Sequence, residues 1–162
     1  MLKLCVACLL AFTLQDFLPA HAQDGKIDIQ KFNYSNWTKG IFSEAVTVTG
    51  IGNAKLIYVA GIGAEDENGP RGKIRYPGDF AQQCHYAYDK IKRVLAQNGA
   101  SLADVVKVTT YMTDLRYRVD MGKCIGESWG GVTFPAHTLI GVEALAFPEM
   151  IIEVDATAIV SK

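Results

Sequence analysis

Between Asp79 and Gly99, apolar side chains return at helical spacing: Phe80, Cys84, Ala87, Ile91, Val94 and Leu95. Asp79 supplies a capping oxygen at one end, and Gly99 supplies a stop at the other. This pattern predicts an amphipathic helix of about five turns, whose single apolar stripe has to be covered. The segments on either side supply the cover. Glu44–Thr49 alternates with the period of two expected of a half-buried strand, and Gly50–Asn53 is a turn. Leu56–Gly61 is a continuous β-prone run, as in a strand covered on both faces. Val105–Thr113 is a β-branched strand, and Tyr117 to about Trp129 is a second helix burying Met121, Ile125 and Trp129 or Ser128. Gly130-Gly131 breaks that helix.

Two further strands close the chain, read as a hairpin. Thr138, Ile140 and Val142 are expected on one side with Ile152, Val154, Ala156 and Ala158, under the helices. His137, Glu153, Asp155 and Thr157 are expected together on the other side. The order strand, strand, helix, strand, helix, strand, strand makes an α+β sandwich with two helices on one sheet face. Leu139, Ile151 and Ile159 fall on the uncovered face, and a partly apolar open face tends to be buried by oligomerisation.

The remaining segments are less constrained. Gln23–Lys39 reads as an extended polar arm with weak strand character over Ile27–Phe32, and Ala64–Gly78 reads as a surface loop. Asn33-Tyr34-Ser35 and Asn36-Trp37-Thr38 match the glycosylation tripeptide, a pattern that chance supplies often. Gly61-Ile62-Gly63 lacks the third glycine and the following helix of a dinucleotide loop.

Residues 1–22 read as a signal peptide, leaving 23–162 as the mature domain. Lys3 is the positive end, Leu4–Leu18 is mostly apolar, and Ala20-His21-Ala22 has the small-x-small form that signal peptidase reads. The apolar run is short for a bilayer span, so the mature protein is expected to be exported, periplasmic or secreted, without a membrane anchor. Cys84 and Cys124 remain after cleavage. An oxidising compartment permits one disulfide between them, but both sit on apolar helix positions, and the reading favoured here is two small hydrophobes. Their spacing matches no zinc arrangement, so no metal is expected. His85 lies off the apolar stripe of its helix and reads as exposed. The net charge is −1, and the basic clusters at Lys90, Lys92 and Arg93 and at Arg116 and Arg118 are short. Nucleic acid is therefore not an expected partner.

Three stretches together resemble the Rid (YjgF-like, reactive-intermediate deaminase) family. They are Leu56–Gly61, Gly99–Leu115, and Phe134-Pro135-Ala136 through Ile152-Glu153-Val154-Asp155-Ala156. The resemblance covers nearly all of the mature chain. It implies a chorismate-mutase-like, trimeric α+β sandwich, with a mixed sheet and clefts between subunits for a small-molecule ligand. It also implies hydrolysis of enamines or imines to a keto acid and ammonia, with no cofactor. By the same resemblance, Glu153 and His137 are the candidate catalytic residues, and Gly61, Ala60, Phe42, Asp120 and Leu139 are candidate ligand contacts.

The departures from the family pattern lie in those same residues. The family's arginine after Pro-Ala holds a substrate carboxylate through a bidentate fork, and here that position is His137. Ala60 and Phe42 each lack a hydroxyl that the family carries, and Asp120 stands for an amide. A histidinium, its pKa raised by a neighbouring Glu153, would offer one donor per direction. Two readings therefore stay open: a divergent imine or enamine hydrolase, or a homotrimer that binds a small ligand without turnover. The ribonuclease activity sometimes attributed to the family gains nothing from charge or motif.

Overall fold

A computed structural model of the chain describes residues 27–32 and 45–161. The leader-like segment, both glycosylation tripeptides and Phe42 lie outside these residues. Eight elements are named here: β1 (Asp28–Phe32), β2 (Ala45–Thr49), β3 (Ala54–Ile62), α1 (Phe80–Gln97), β4 (Val105–Met112), α2 (Arg118–Trp129), β5 (Ala136–Gly141) and β6 (Ile152–Ser161).

Helix α1 follows from its sequence. The Asp79 carboxylate accepts the Gln82 N–H at 3.0 Å, and Gly99 takes φ 71° just past the end, where a side chain would be strained. Phe80, Cys84, Ala87, Tyr88, Ile91 and Leu95 form the buried stripe. Helix α2 buries Met121, Cys124, Ile125 and both Ser128 and Trp129.

Both helices cover one face of a four-stranded mixed sheet of order β3-β6-β4-β5. β4 and β5 run parallel, and the other pairs are antiparallel. β1 and β2 pair with each other. On β6 the expected alternation holds: Ile152, Val154, Ala156 and Ala158 are buried, while Glu153, Asp155 and Thr157 are only partly so. Their cross-strand partners Ile57, Val59, Val108, Thr110 and Met112 complete the layer under the helices.

The expected hairpin is absent. β4 lies between β5 and β6, so parity is passed from β6 to β5 through β4. Val108 pairs with both Ala156 and His137, and Thr110 with both Val154 and Leu139. His137 and Leu139 therefore lie on the helix-covered side, and Thr138 and Ile140 lie on the open side, the reverse of the expectation. Leu139 and Ile151 pack against the core, and Ile159 is buried as well. β3 is covered on one face only: Leu56 and Tyr58 are 53% and 77% exposed.

The cysteines also depart from the favoured reading. Cys84 and Cys124 are joined, linking α1 to α2 across 40 residues of chain. Two small apolar positions that face each other across a helix pair are also within disulfide reach, which the pattern of either helix alone does not reveal. A second tie is Gln83, fully buried on α1. It donates to the carbonyls of Tyr76 (3.1 Å) and Glu149 (2.7 Å) and accepts from Ile151 N–H (3.1 Å). It thereby fixes the chain where β6 begins.

Reducing the disulfide should lower the unfolding free energy by about 4 kcal/mol, the loop-closure value for a crosslink of this span. Urea denaturation with and without reductant measures the difference.

Candidate functional site

At the end of β3 the pairing with β6 slips between Val59 and Ile62, leaving Ala60 and Gly61 exposed in the bulge. Glu153 of β6 folds onto this bulge. A Cβ built on Gly61 would stand 1.8 Å from Glu153 Oε1, so only a glycine lets the carboxyl lie against the backbone there. Burial pushes the Glu153 pKa up, and the charges of Glu65 and Asp155 push in the same direction. Such a group holds its proton to higher pH than an ordinary glutamate and can donate it.

Beside Glu153 the open face is polar and partly acidic. Tyr111, paired with Glu153 across β4 and β6, donates its hydroxyl to Asp155 at 3.0 Å. Farther along β4, Lys107 donates to Thr138 Oγ1 (2.5 Å) and to the Val108 carbonyl (3.0 Å). Burial lowers the Lys107 pKa, and Asp155 partly offsets that.

His137 does not join this group. Its Nε2 lies 3.0 Å from Thr110 Oγ1, a hydroxyl with no solvent exposure, on the core side of the sheet. Burial, aided by the Lys107 charge, lowers the His137 pKa to about 4. The expectation that Glu153 raises it therefore fails, because the sheet stands between the two residues. The surroundings are polar for a core. The Tyr88 hydroxyl is buried beside Thr110 and Trp129, with no hydrogen bond of good geometry.

The other candidates divide in the same way. Ala60 adjoins Gly61 at the site, whereas Leu139 packs into the core and Asp120 sits on the helix layer, 3.8 Å from Lys123. His85, read as simply exposed, bridges the two helices: Nε2 is 3.1 Å from Glu127 and Nδ1 is 3.4 Å from Ser128 Oγ. Lys90, read as part of a short basic cluster, instead reaches Glu65 in the segment read as a surface loop. The one signal available was a pair of glycines two apart at a strand end, followed closely by an acid. Among the described residues, no group of His, Cys, Asp or Glu is arranged to hold a metal, and no helix is long and apolar enough to cross a membrane.

Comparison with known proteins agrees with this architecture. Residues 38–160 match the family model described as endoribonuclease L-PSP. A RutC family protein of Pyrococcus abyssi is 37% identical over 120 residues, 74% of this chain and 86% of the relative. Among solved structures, the Rid family protein YyfB of Yersinia pestis superposes with TM-score 0.71 at 28% identity, covering 84% of this chain and all of that one. Rv2704 of Mycobacterium tuberculosis, described as a member of the YjgF/YER057c/UK114 family, gives TM-score 0.55 at 28% identity over 82% of this chain and all of its own.

Because the His137 pKa is depressed, the unfolded chain binds the extra proton first as pH falls. The neutral imidazole favours the fold above its ordinary value of 6.5, and that contribution is lost as pH drops from there to about 4. Histidine NMR titration should show the His137 ring unprotonated throughout pH 5–8. A midpoint near 6.5 would contradict its placement.

Proposed function

This chain belongs to the YjgF/RutC/Rid family, and from that premise we propose that it is an exported homotrimer. Small ligands bind at the open sheet face between subunits, with Glu153 as the group that moves protons. The observation that carries this reading is Glu153 laid over Gly61 with its carboxyl biased toward the protonated form. The reaction that suits such a group is the hydrolysis of an imine or enamine. Water adds to the imine carbon, the C–N bond of the resulting carbinolamine breaks, and nitrogen leaves as ammonia after receiving a proton. Protonated Glu153 gives a proton to the imine nitrogen as water adds and takes one back from that water. It then protonates the departing amine and takes back the proton of the carbinolamine hydroxyl as the carbonyl forms, so the carboxyl ends as it began.

Trimerisation is supported by what the single chain leaves uncovered. Leu56 and Tyr58 of β3 and Ile140 of β5 are large apolar side chains exposed on the same sheet face as Glu153. Export is supported by the leader-like residues 1–22 together with a disulfide, a bond that persists in oxidising compartments.

One observation favours the second reading, ligand binding without turnover. The position that carries the family's carboxylate-holding arginine is here a neutral histidine turned into the core. Ribonuclease action is disfavoured because the net charge is −1 and the basic clusters at Lys90, Lys92 and Arg93 and at Arg116 and Arg118 are short.

Ammonia release from freshly generated 2-iminopropanoate tests the hydrolase. Wild type should exceed buffer, and Glu153→Gln should lose about 10²-fold or more of the rate. A wild-type rate equal to buffer would leave only the binding reading. Light scattering should give a solution mass three times that of the mature chain, and Leu56→Asp should reduce it to the single-chain mass.

A further inference from the structure

Gly61 and Gly63 stand two apart where β3 ends, and a carboxylate lies against each of them. Glu153 occupies the space beside Gly61. Glu65 turns back so that its Oε2 accepts the Gly63 N–H at 3.0 Å, and it lies 3.5 Å from where a Gly63 Cβ would be. Lys90, reaching from α1, grips the same turn with three donors: to Glu65 Oε2 (2.8 Å), the Glu65 carbonyl (2.9 Å) and the Gly63 carbonyl (3.0 Å). Its Nζ also stands 5.4 Å from the centre of the Tyr86 ring. The ion pair is well shielded, with side-chain exposures of 15% for Lys90 and 30% for Glu65. An ammonium spent entirely on two residues of one turn is more than a surface ion pair needs.

We propose that Glu65, clamped by Lys90, is a positioning residue of the Gly61–Glu153 site: it fixes the backbone on which Glu153 rests and sets a lasting negative charge beside it. This rests on the reading of Glu153 as the proton-moving group. Burial works against the Glu65 charge, but the bonds from Lys90 and from the backbone outweigh it and hold the carboxyl below its usual range. Glu65 therefore stays ionised while Glu153 titrates. The groups facing Glu153 are Glu65 from the loop after β3, Asp155 on its own strand and Tyr111 on β4. Lys90 of α1 bonds Glu65, and Lys107 of β4 feels the charge of Asp155. Of the charged groups acting directly on Glu153, both are acidic, and Glu65 alone is held by a dedicated cation. A carboxyl in that company holds its proton to higher pH than it would alone, in the direction that suits protonation of a leaving nitrogen.

The test is a carbon-13 NMR titration of the Glu153 carboxyl in the full folded protein, which needs no substrate. Glu65→Gln removes the neighbouring charge and should lower the Glu153 midpoint by about 0.5 unit or more. If that variant does not fold, Lys90→Gln gives the converse reading: the midpoint should rise as Glu65 loses its counter-ion. A folded Glu65→Gln whose Glu153 midpoint stays within about 0.1 unit of wild type overturns the proposal, since a purely structural Glu65 would move stability alone. If wild type hydrolyses 2-iminopropanoate, the alkaline limb of its rate profile should move down with the midpoint. If wild type is inert toward the imine, the titration still reads, so failure of the hydrolase reading and failure of this one are told apart.

Discussion

The placement of the site depends on strand β4 standing between β5 and β6. Because cross-strand neighbours share a face, the buried row Ile152, Val154, Ala156 and Ala158 fixes through β4 which side every residue of β5 must take. A slip of one residue by β6 against its neighbours would carry Glu153 under the helices and expose the core row. The apolar cost of that slip is several buried side chains at about 1.5–3 kcal/mol each, which leaves the register no alternative. The helices that enforce this are locked to each other by the Cys84–Cys124 bond. α1 is further tied to the start of β6 by Gln83, so the layer that selects the register cannot slide over it.

The two faces consequently have opposite electrostatic character. On the core side, burial strips His137 of its proton and leaves it as a neutral partner of Thr110. On the open side, burial and neighbouring acids act together to push the Glu153 pKa up. Desolvation penalises whichever form is charged, so one physical term lowers the pKa of a base on one face and raises that of an acid on the other. Among the described residues no guanidinium acts on Glu153, so this face is less suited to gripping a carboxylate than the family pattern implies.

How much of this the sequence could reveal follows from the range of each signal. Periodicity within one element is local, and it located α1, α2 and the two-sided character of β6 from residues such as Cys84, Ile125 and Val154. Pairing between elements is not local. The order β6-β4-β5 inserts a strand that lies some thirty residues earlier in sequence than β5, and no pattern in residues 136–161 announces it. Reading those residues as a hairpin was therefore correct about each strand and wrong about their relation, which misplaced His137 and Leu139 while leaving Glu153 right. The Cys84–Cys124 disulfide, one of the two readings open to those residues, is not the one their helix positions favour, and the Lys90–Glu65 clamp goes unread, since each joins positions whose proximity exists only in three dimensions.

The orientation of His137 has a simple cause in side-chain reach. β5 is an edge strand, and its first residues pair with β4 on one side only. An arginine at such a position has three methylenes before its guanidinium, enough to carry the charge around the edge toward solvent or a ligand while the stem stays packed. An imidazole hangs one carbon from the backbone and has to find a polar partner where its Cβ already points, which is inward, at Thr110. Arginine and histidine in this place are thus two anchoring solutions rather than two strengths of the same cation. The imidazole Nε2 helps hold β5 to β4 inside the protein, which leaves recognition beside Glu153 to the residues of the open face.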